Sequence, residues 1–178
     1  MKLDKSNIFR ILMWLAMLLG GAVVCIHFDK KYFLDWFNNL YFHIATIIPG
    51  YFLLKLVLKI SRNTGRLLAE KGREGNIPRM QTNRLVTDGV YARMRHPMHL
   101  GLLFFPLAFA LLLGSPSFIF ILAPIEVLLM IVLIKFVEEK EAEKKFGQAY
   151  RDYKKQTPMF CLSLKCVKEL LNAKKNLQ

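Results

Sequence analysis

Chemistry in this chain is concentrated at two places. The first is Arg95-His96-Pro97-Met98-His99-Leu100-Gly101, where a basic stretch meets a long apolar run. If Pro97 occupies the first turn of a helix, where a missing N–H costs nothing, His96 and His99 share one helical face beside Arg95. An arginine and imidazoles at a helix start, with unpaired backbone donors nearby, make a seat for a carboxylate or phosphate. The blander alternative is capping and snorkelling at a membrane surface. The second place is Glu138-Glu139, where the apolar sequence ends. Adjacent carboxylates there can hold a ribose hydroxyl pair or an ammonium group, or pair with arginines. Two histidines and two glutamates make a metal site conceivable. Only the histidine pair has ligand spacing, so none is expected.

Glu126 is an ionisable residue deep in the last apolar run. At mid-membrane an acidic side chain is unfavourable by roughly 2.5–3.5 kcal/mol, so it is expected to face the protein interior or be protonated. It is a candidate for contact with a substrate headgroup, or a bond to another helix. His27 and His43 read as interfacial or packing residues. Cys25, Cys161 and Cys166 lack the spacing of a disulfide framework or zinc knuckle, and they are expected to be unpaired.

These groups must be positioned by membrane helices. Of the 178 residues, 54% are hydrophobic, and charge is absent from Ile11 to Phe28, from Trp36 to Leu54 and from His96 through Ile125. Runs of that length predict an all-α integral membrane bundle of about four transmembrane helices. The first covers about Ile8 to Phe28. A short outer loop, Asp29 to Asp35, leads to a second at about Trp36 to Ile60, with Tyr32, Trp36 and Tyr41 near the interface. Gly114-Ser115-Pro116-Ser117 breaks the later run into a tight carboxyl-terminal hairpin, about Met98 to Leu113 and Phe118 to Val137. Its first arm is short, roughly 24 Å at the helical rise. The hairpin brings Arg95, His96 and His99 beside Glu138 and Glu139. Pro49, Pro106 and Pro124 interrupt the later spans and either set packing or open a cleft between helices.

One domain, 1–178, is expected: two spans in 1–60, a core in 83–158 and a basic tail in 159–178. Ser61 to Met94 reads as the main polar connection, with turns at Gly72, Gly75-Asn76, Pro78 and Asp88-Gly89. Beyond Val137 the helix is expected to run on as a charged one carrying Phe146, Tyr150 and Tyr153 on one face and ending at Thr157-Pro158. The net charge of +13 would suggest nucleic acid in a soluble protein. Here it flanks apolar spans, so no nucleic acid is expected and anionic lipid headgroups are the partner. Arg62, Arg66, Lys71, Arg73, Arg79, Arg84, Arg93 and Arg95 place the central loop in the cytoplasm, with the amino end and the tail, which requires an even number of spans. No dinucleotide fingerprint, Walker loop or nucleophile elbow is present.

Leu85-Val86-Thr87-Asp88-Gly89-Val90-Tyr91, then Arg95-His96-Pro97 with Gly101, resembles the first signature block of the isoprenylcysteine carboxyl methyltransferase family and its phospholipid methyltransferase relatives. Glu138-Glu139, followed by Phe146-Gly147, Tyr150, Tyr153 and Pro158, resembles the second. The likeness covers about Asn83 to Pro158. It implies an S-adenosyl-L-methionine-dependent methyltransferase with a cofactor pocket open to the cytoplasm and a lipidic or small apolar acceptor entering from the bilayer, such as an isoprenylcysteine-like carboxylate or a phospholipid amine. By this resemblance Val90, Tyr91, His96, Pro97, Gly101, Glu138 and Glu139 would bind cofactor. Arg95 would orient the acceptor, and Arg95 and His99 are the catalytic candidates, with Glu126 a second substrate contact. His99 stands where the family usually has tyrosine, and Asn83 where the eukaryotic enzymes have histidine. The other readings are a non-enzymatic membrane scaffold and a nicotinamide-dependent membrane reductase.

Overall fold

The computed structural model describes residues 5–78 and 81–172, and all regular structure among them is helical. Three helices are long and apolar enough to cross a bilayer: Ile8–Tyr32, Leu40–Lys71 and Phe118–Phe146. The fourth expected span is shorter, Pro97–Leu113. It is also broken, into α4 (Pro97–Leu103) and α5 (Phe105–Leu113), because Pro106 has no N–H to give to the preceding turn.

The chain divides into two compact units. One is built from Leu58–Leu102 and the segment from Val132 onward, and the other from the segment up to Val57 with Leu103–Ile131. In the second unit, α1 (Lys5–Tyr32) runs past its expected end, a short α2 (Leu34–Phe37) follows, and α3 (Leu40–Lys71) begins. The outer loop therefore shrinks almost to nothing, and Asp29 sits inside α1, fully buried. Its carboxylate accepts from the Ser115 hydroxyl and from the Ser117 N–H at 2.9 Å. A turn that would otherwise bury unsatisfied donors is thereby closed by a side chain from α1.

Small residues let these helices approach. A Cβ on Gly50 would lie 2.9 Å from Leu111 Cβ, and one on Gly21 would lie 2.4 Å from Leu122 Cδ2. Gly114 ends α5 at φ +64°, and a Cβ there would meet His43 Nδ1 at 2.1 Å. The chain turns back at this point, with the Phe109 and Phe118 rings 5.8 Å apart. The core is Ala22, Cys25, Ala110, Phe118, Ile119 and Ala123. Val23, Val24, Phe52, Phe120 and Leu128 are exposed, as lipid-facing side chains are. Glu126 is buried, and neither carboxylate oxygen has a hydrogen-bond partner.

In the first unit α3 continues as a helix to Lys71, well beyond the expected boundary near Ile60. Ser61 to Lys71 contains no proline, and Thr64 and Leu67 turn inward while Arg66 faces out. Gly72 stops it: a Cβ there would meet the Leu68 carbonyl at 2.6 Å. The last long helix is α6 (Ala123–Leu133) between π-helical segments Phe118–Leu122 and Ile134–Glu138, continuing as α7 (Glu139–Phe146). Gly147 at φ +57° separates α7 from α8 (Gln148–Gln156).

The cysteine expectation is corrected here. Cys161 and Cys166 form a disulfide, their Cα atoms 6.0 Å apart, while Cys25 is free and buried. The extended residue Cys161 faces the first turn of α9 (Leu164–Asn172), a local geometry that framework spacing rules do not detect. Residues 173–178 of the expected basic tail, and Arg79, lie outside the described residues.

Candidate functional site

The site lies within the first unit, and its foundation is the turn before α4. Leu85 to Thr87 has no regular structure, Asp88 is extended, and Gly89–Ala92 forms a 3-10 turn. Val86, Val90 and Tyr91 pack on Leu67 of α3. Asp88 pairs with Lys71, which pulls the Asp88 carboxyl below its ordinary range. Asn83 clamps the preceding loop: its amide donates to Glu74 O at 2.7 Å, and its oxygen accepts from Glu74 N at 2.8 Å. Tyr153 of α8 donates to Tyr91 O at 2.5 Å. Burial pushes the Tyr91 and Tyr153 hydroxyls well above their ordinary range and Tyr150 up to about 12, so all three stay protonated.

Arg95 and His96 are held from the other side by the segment after α8. The Arg95 N–H donates to Pro158 O at 2.9 Å, and the His96 N–H to Met159 O at 3.2 Å. These two amides were expected to help seat an anion; the Pro158 and Met159 carbonyls already take them. The Arg95 side chain reaches the buried Glu139, with Nε at 2.9 Å and Nη2 at 2.5 Å from the same carboxylate oxygen, and donates through Nη1 to Thr157 O. Lys154 Nζ completes the network at 2.9 Å from Glu139 and 2.8 Å from Glu143. Those two carboxylates hold the Lys154 ammonium above its ordinary pKa. The π-helical turn Ile134–Glu138 shifts the register just before Glu139, and such insertions frequently re-aim side chains at functional sites.

The histidines face the same end of α7. His99 Nε2 lies 3.0 Å from Glu138 Oε2, and the His96 and His99 rings are 5.5 Å apart. His96 Nε2 is 3.5 Å from Glu139 Oε1, a distance that suits an ion pair, yet it is buried and makes no hydrogen bond. Burial is the main reason its pKa drops to about 4; the neighbouring His99 and Arg95 push the same way against Glu138 and Glu139. His96 is therefore a neutral imidazole near pH 7.

Tyr91, Arg95, His96 and His99 line a cavity of about 120 Å³. Its apolar wall includes Leu68, Leu85, Val86, Met98 and Phe146, and Tyr150 is also at its edge. The other sequence candidates sit elsewhere. Val90 is buried in the packing core, and Pro97 is buried at the start of α4. Gly101 admits α3: a Cβ would lie 2.8 Å from Ser61 Oγ and 3.0 Å from Ile60 Cγ2. Glu126 belongs to the other unit. The residues that sequence reasoning missed are Lys154 and Met98. Lys154 is one lysine among many on a basic helix, and only the fold distinguishes it.

The sequence model of the phospholipid methyltransferase family matches residues 45–149, from near the start of α3 into α8. The chain belongs to the phospholipid methyltransferase family. The matched region contains both clusters of the site, from Arg95 to His99 and Glu138-Glu139. A protein-S-isoprenylcysteine O-methyltransferase of Schizosaccharomyces pombe is 29% identical over 167 residues, covering 82% of this chain and 64% of that protein. The chain thus spans under two thirds of that relative's length. No solved structure matches.

Proposed function

We propose that this protein transfers a methyl group from S-adenosyl-L-methionine, at the membrane, to a lipidic or small apolar acceptor. The observation that carries the reading is the convergence of Arg95, His96 and His99 with Glu138 and Glu139 beside one cavity in a chain of this family. The cavity's chemistry suits the cofactor: an apolar wall for the adenine, and beside it the buried His96 Nε2, which makes no hydrogen bond. At about 120 Å³ it is smaller than the roughly 300–1,000 Å³ of typical small-molecule sites, so binding requires the walls to part.

The cofactor supplies a methyl group on a positively charged sulfur, an excellent leaving group. The chain's residues need mainly to align the acceptor and exclude water. Neutral His96 and Tyr91 enclose the donor, and Glu138 presents charge through His99. Arg95 and Glu139 act as positioning residues, because their polar atoms are engaged with one another and with Thr157. For an amine acceptor, which must be neutral when it attacks, His99 is the proton acceptor, held by Glu138. A carboxylate acceptor needs no base. Glu126 is retained as a contact for a polar headgroup in the bilayer.

Pro97–Leu113 and Phe118–Phe146 form a membrane hairpin in this proposal. The rise from Phe118 to Glu138 is roughly 30 Å, one hydrocarbon thickness, which sets the carboxylates at the membrane surface. The basic central loop and tail then share the cytoplasmic side, as the charge distribution requires. Transfer of labelled methyl to a total lipid extract, followed by identification of the labelled species, tests the activity and names the acceptor. The scaffold reading expects no label in any species.

A further inference from the structure

We propose that His96, His99 and Glu138 form a binding site for a divalent metal of the zinc class. The three residues offer ligand atoms that all lie within 4.8 Å of one another. His99 Nε2 and Glu138 Oε2 are already 3.0 Å apart, and the two imidazole rings face each other edge to face at 5.5 Å. Ligand atoms around tetrahedral zinc stand roughly 3.3 Å apart, given bonds of about 2.0–2.1 Å. Side-chain rotations of His96, at the start of α4, of His99 within it and of Glu138, at the end of the π-helical segment, would close the set.

His96 Nε2 is the second, independent observation. It is buried and has no hydrogen-bond partner, while its side chain is 11% exposed. A buried polar atom without a partner calls for an explanation, and an absent ion is one of the standard ones. Arg95 and Lys154 are both engaged by Glu139. Two imidazoles and one carboxylate suit zinc, cobalt or nickel, whereas calcium and magnesium favour all-oxygen sets. His96 and His99 line the cavity, so a fourth position would open toward it. The site stands on its own geometry; with the metal bound, His99 is a ligand rather than a proton acceptor, and methyl transfer is then confined to an acceptor such as a carboxylate that needs no base.

The test uses the full chain purified in detergent without reductant, stripped with a chelator and titrated with cobalt(II), then with zinc. One equivalent of cobalt should give the visible absorption of a tetrahedral site, zinc should displace it, and zinc should raise the unfolding temperature. His99→Ala and Glu138→Gln should each weaken zinc binding by more than about tenfold. The exposed His27→Ala should leave it unchanged. Absence of cobalt absorption and of zinc stabilisation in the unmodified chain overturns the proposal even if the variants fail to fold. So does undiminished binding in both variants.

Discussion

Glu139→Gln removes the charge that Arg95 and Lys154 share while keeping the side chain's volume. The consequences differ at the two cations. Lys154 is 40% exposed and can turn to water, but Arg95 is 9% exposed and cannot. Breaking a buried pair from one side costs about 3–5 kcal/mol. Arg95 keeps its bonds to the Thr157 and Lys154 carbonyls, so the low end, about 3 kcal/mol, applies. At about 2–4 °C per kcal/mol for a chain of this size, thermal unfolding in detergent should shift down by roughly 6–12 °C. In the double variant Arg95→Met/Glu139→Gln the uncompensated guanidinium is gone, so it should unfold at a higher temperature than Glu139→Gln alone. A single-variant shift below about 2 °C, or additive losses in the double variant, would refute the buried-network reasoning.

The His96 imidazole gives a pH signature. Its folded pKa, about 4, lies below the ordinary 6.5, so the unfolded chain takes up the proton first; stability is full above about pH 6.5 and falls as pH drops toward 4. The total is at most about 3 kcal/mol, and the fall between those pH values should flatten in His96→Asn; an unchanged slope would show that His96 is not the group. Gly114→Ala must adopt a left-handed conformation and press on His43, and should lower stability by at least about 1–2 kcal/mol in denaturant titration. If Pro97–Leu113 crosses the bilayer, cysteines introduced at Arg62 and Lys165 will react with an impermeant reagent from the same side of sealed vesicles. Labelling from opposite faces would reject the hairpin. Intact-mass analysis of alkylated protein should show Cys161 and Cys166 reacting only after reduction.

The long charge-free runs and the turn at Gly114 were legible because lipid demands continuous apolar helices and glycine tolerates positive φ. The pairing of Arg95 and His99 with Glu139 and Glu138 was legible too, since a short turn between two helices fixes which ends meet. What the sequence hid is set by local backbone detail and long-range partners. The π-helical segment before Glu139 has no sequence signature. Asp29 looked like a loop residue, and its partners, Ser115 and Ser117, lie far along the chain. Helix α3 runs past Ile60 because hydropathy marks only its apolar part, whereas Ser61 to Lys71 is held by packing of Thr64 and Leu67. The positions of Val90 and Gly101 show the same limit: motif membership does not reveal that Val90 packs in the core or that Gly101 lies close against α3.

The central claim is that the cavity beside His96 receives the methyl donor, and the most direct test is calorimetry of the purified chain with S-adenosylhomocysteine, with NADPH as the comparison. Saturable binding of S-adenosylhomocysteine, weakened in His96→Ala at unchanged helical content, and no binding of NADPH, is the predicted result. Absence of saturable binding by S-adenosylhomocysteine and S-adenosylmethionine, or equal affinity in His96→Ala, would contradict it.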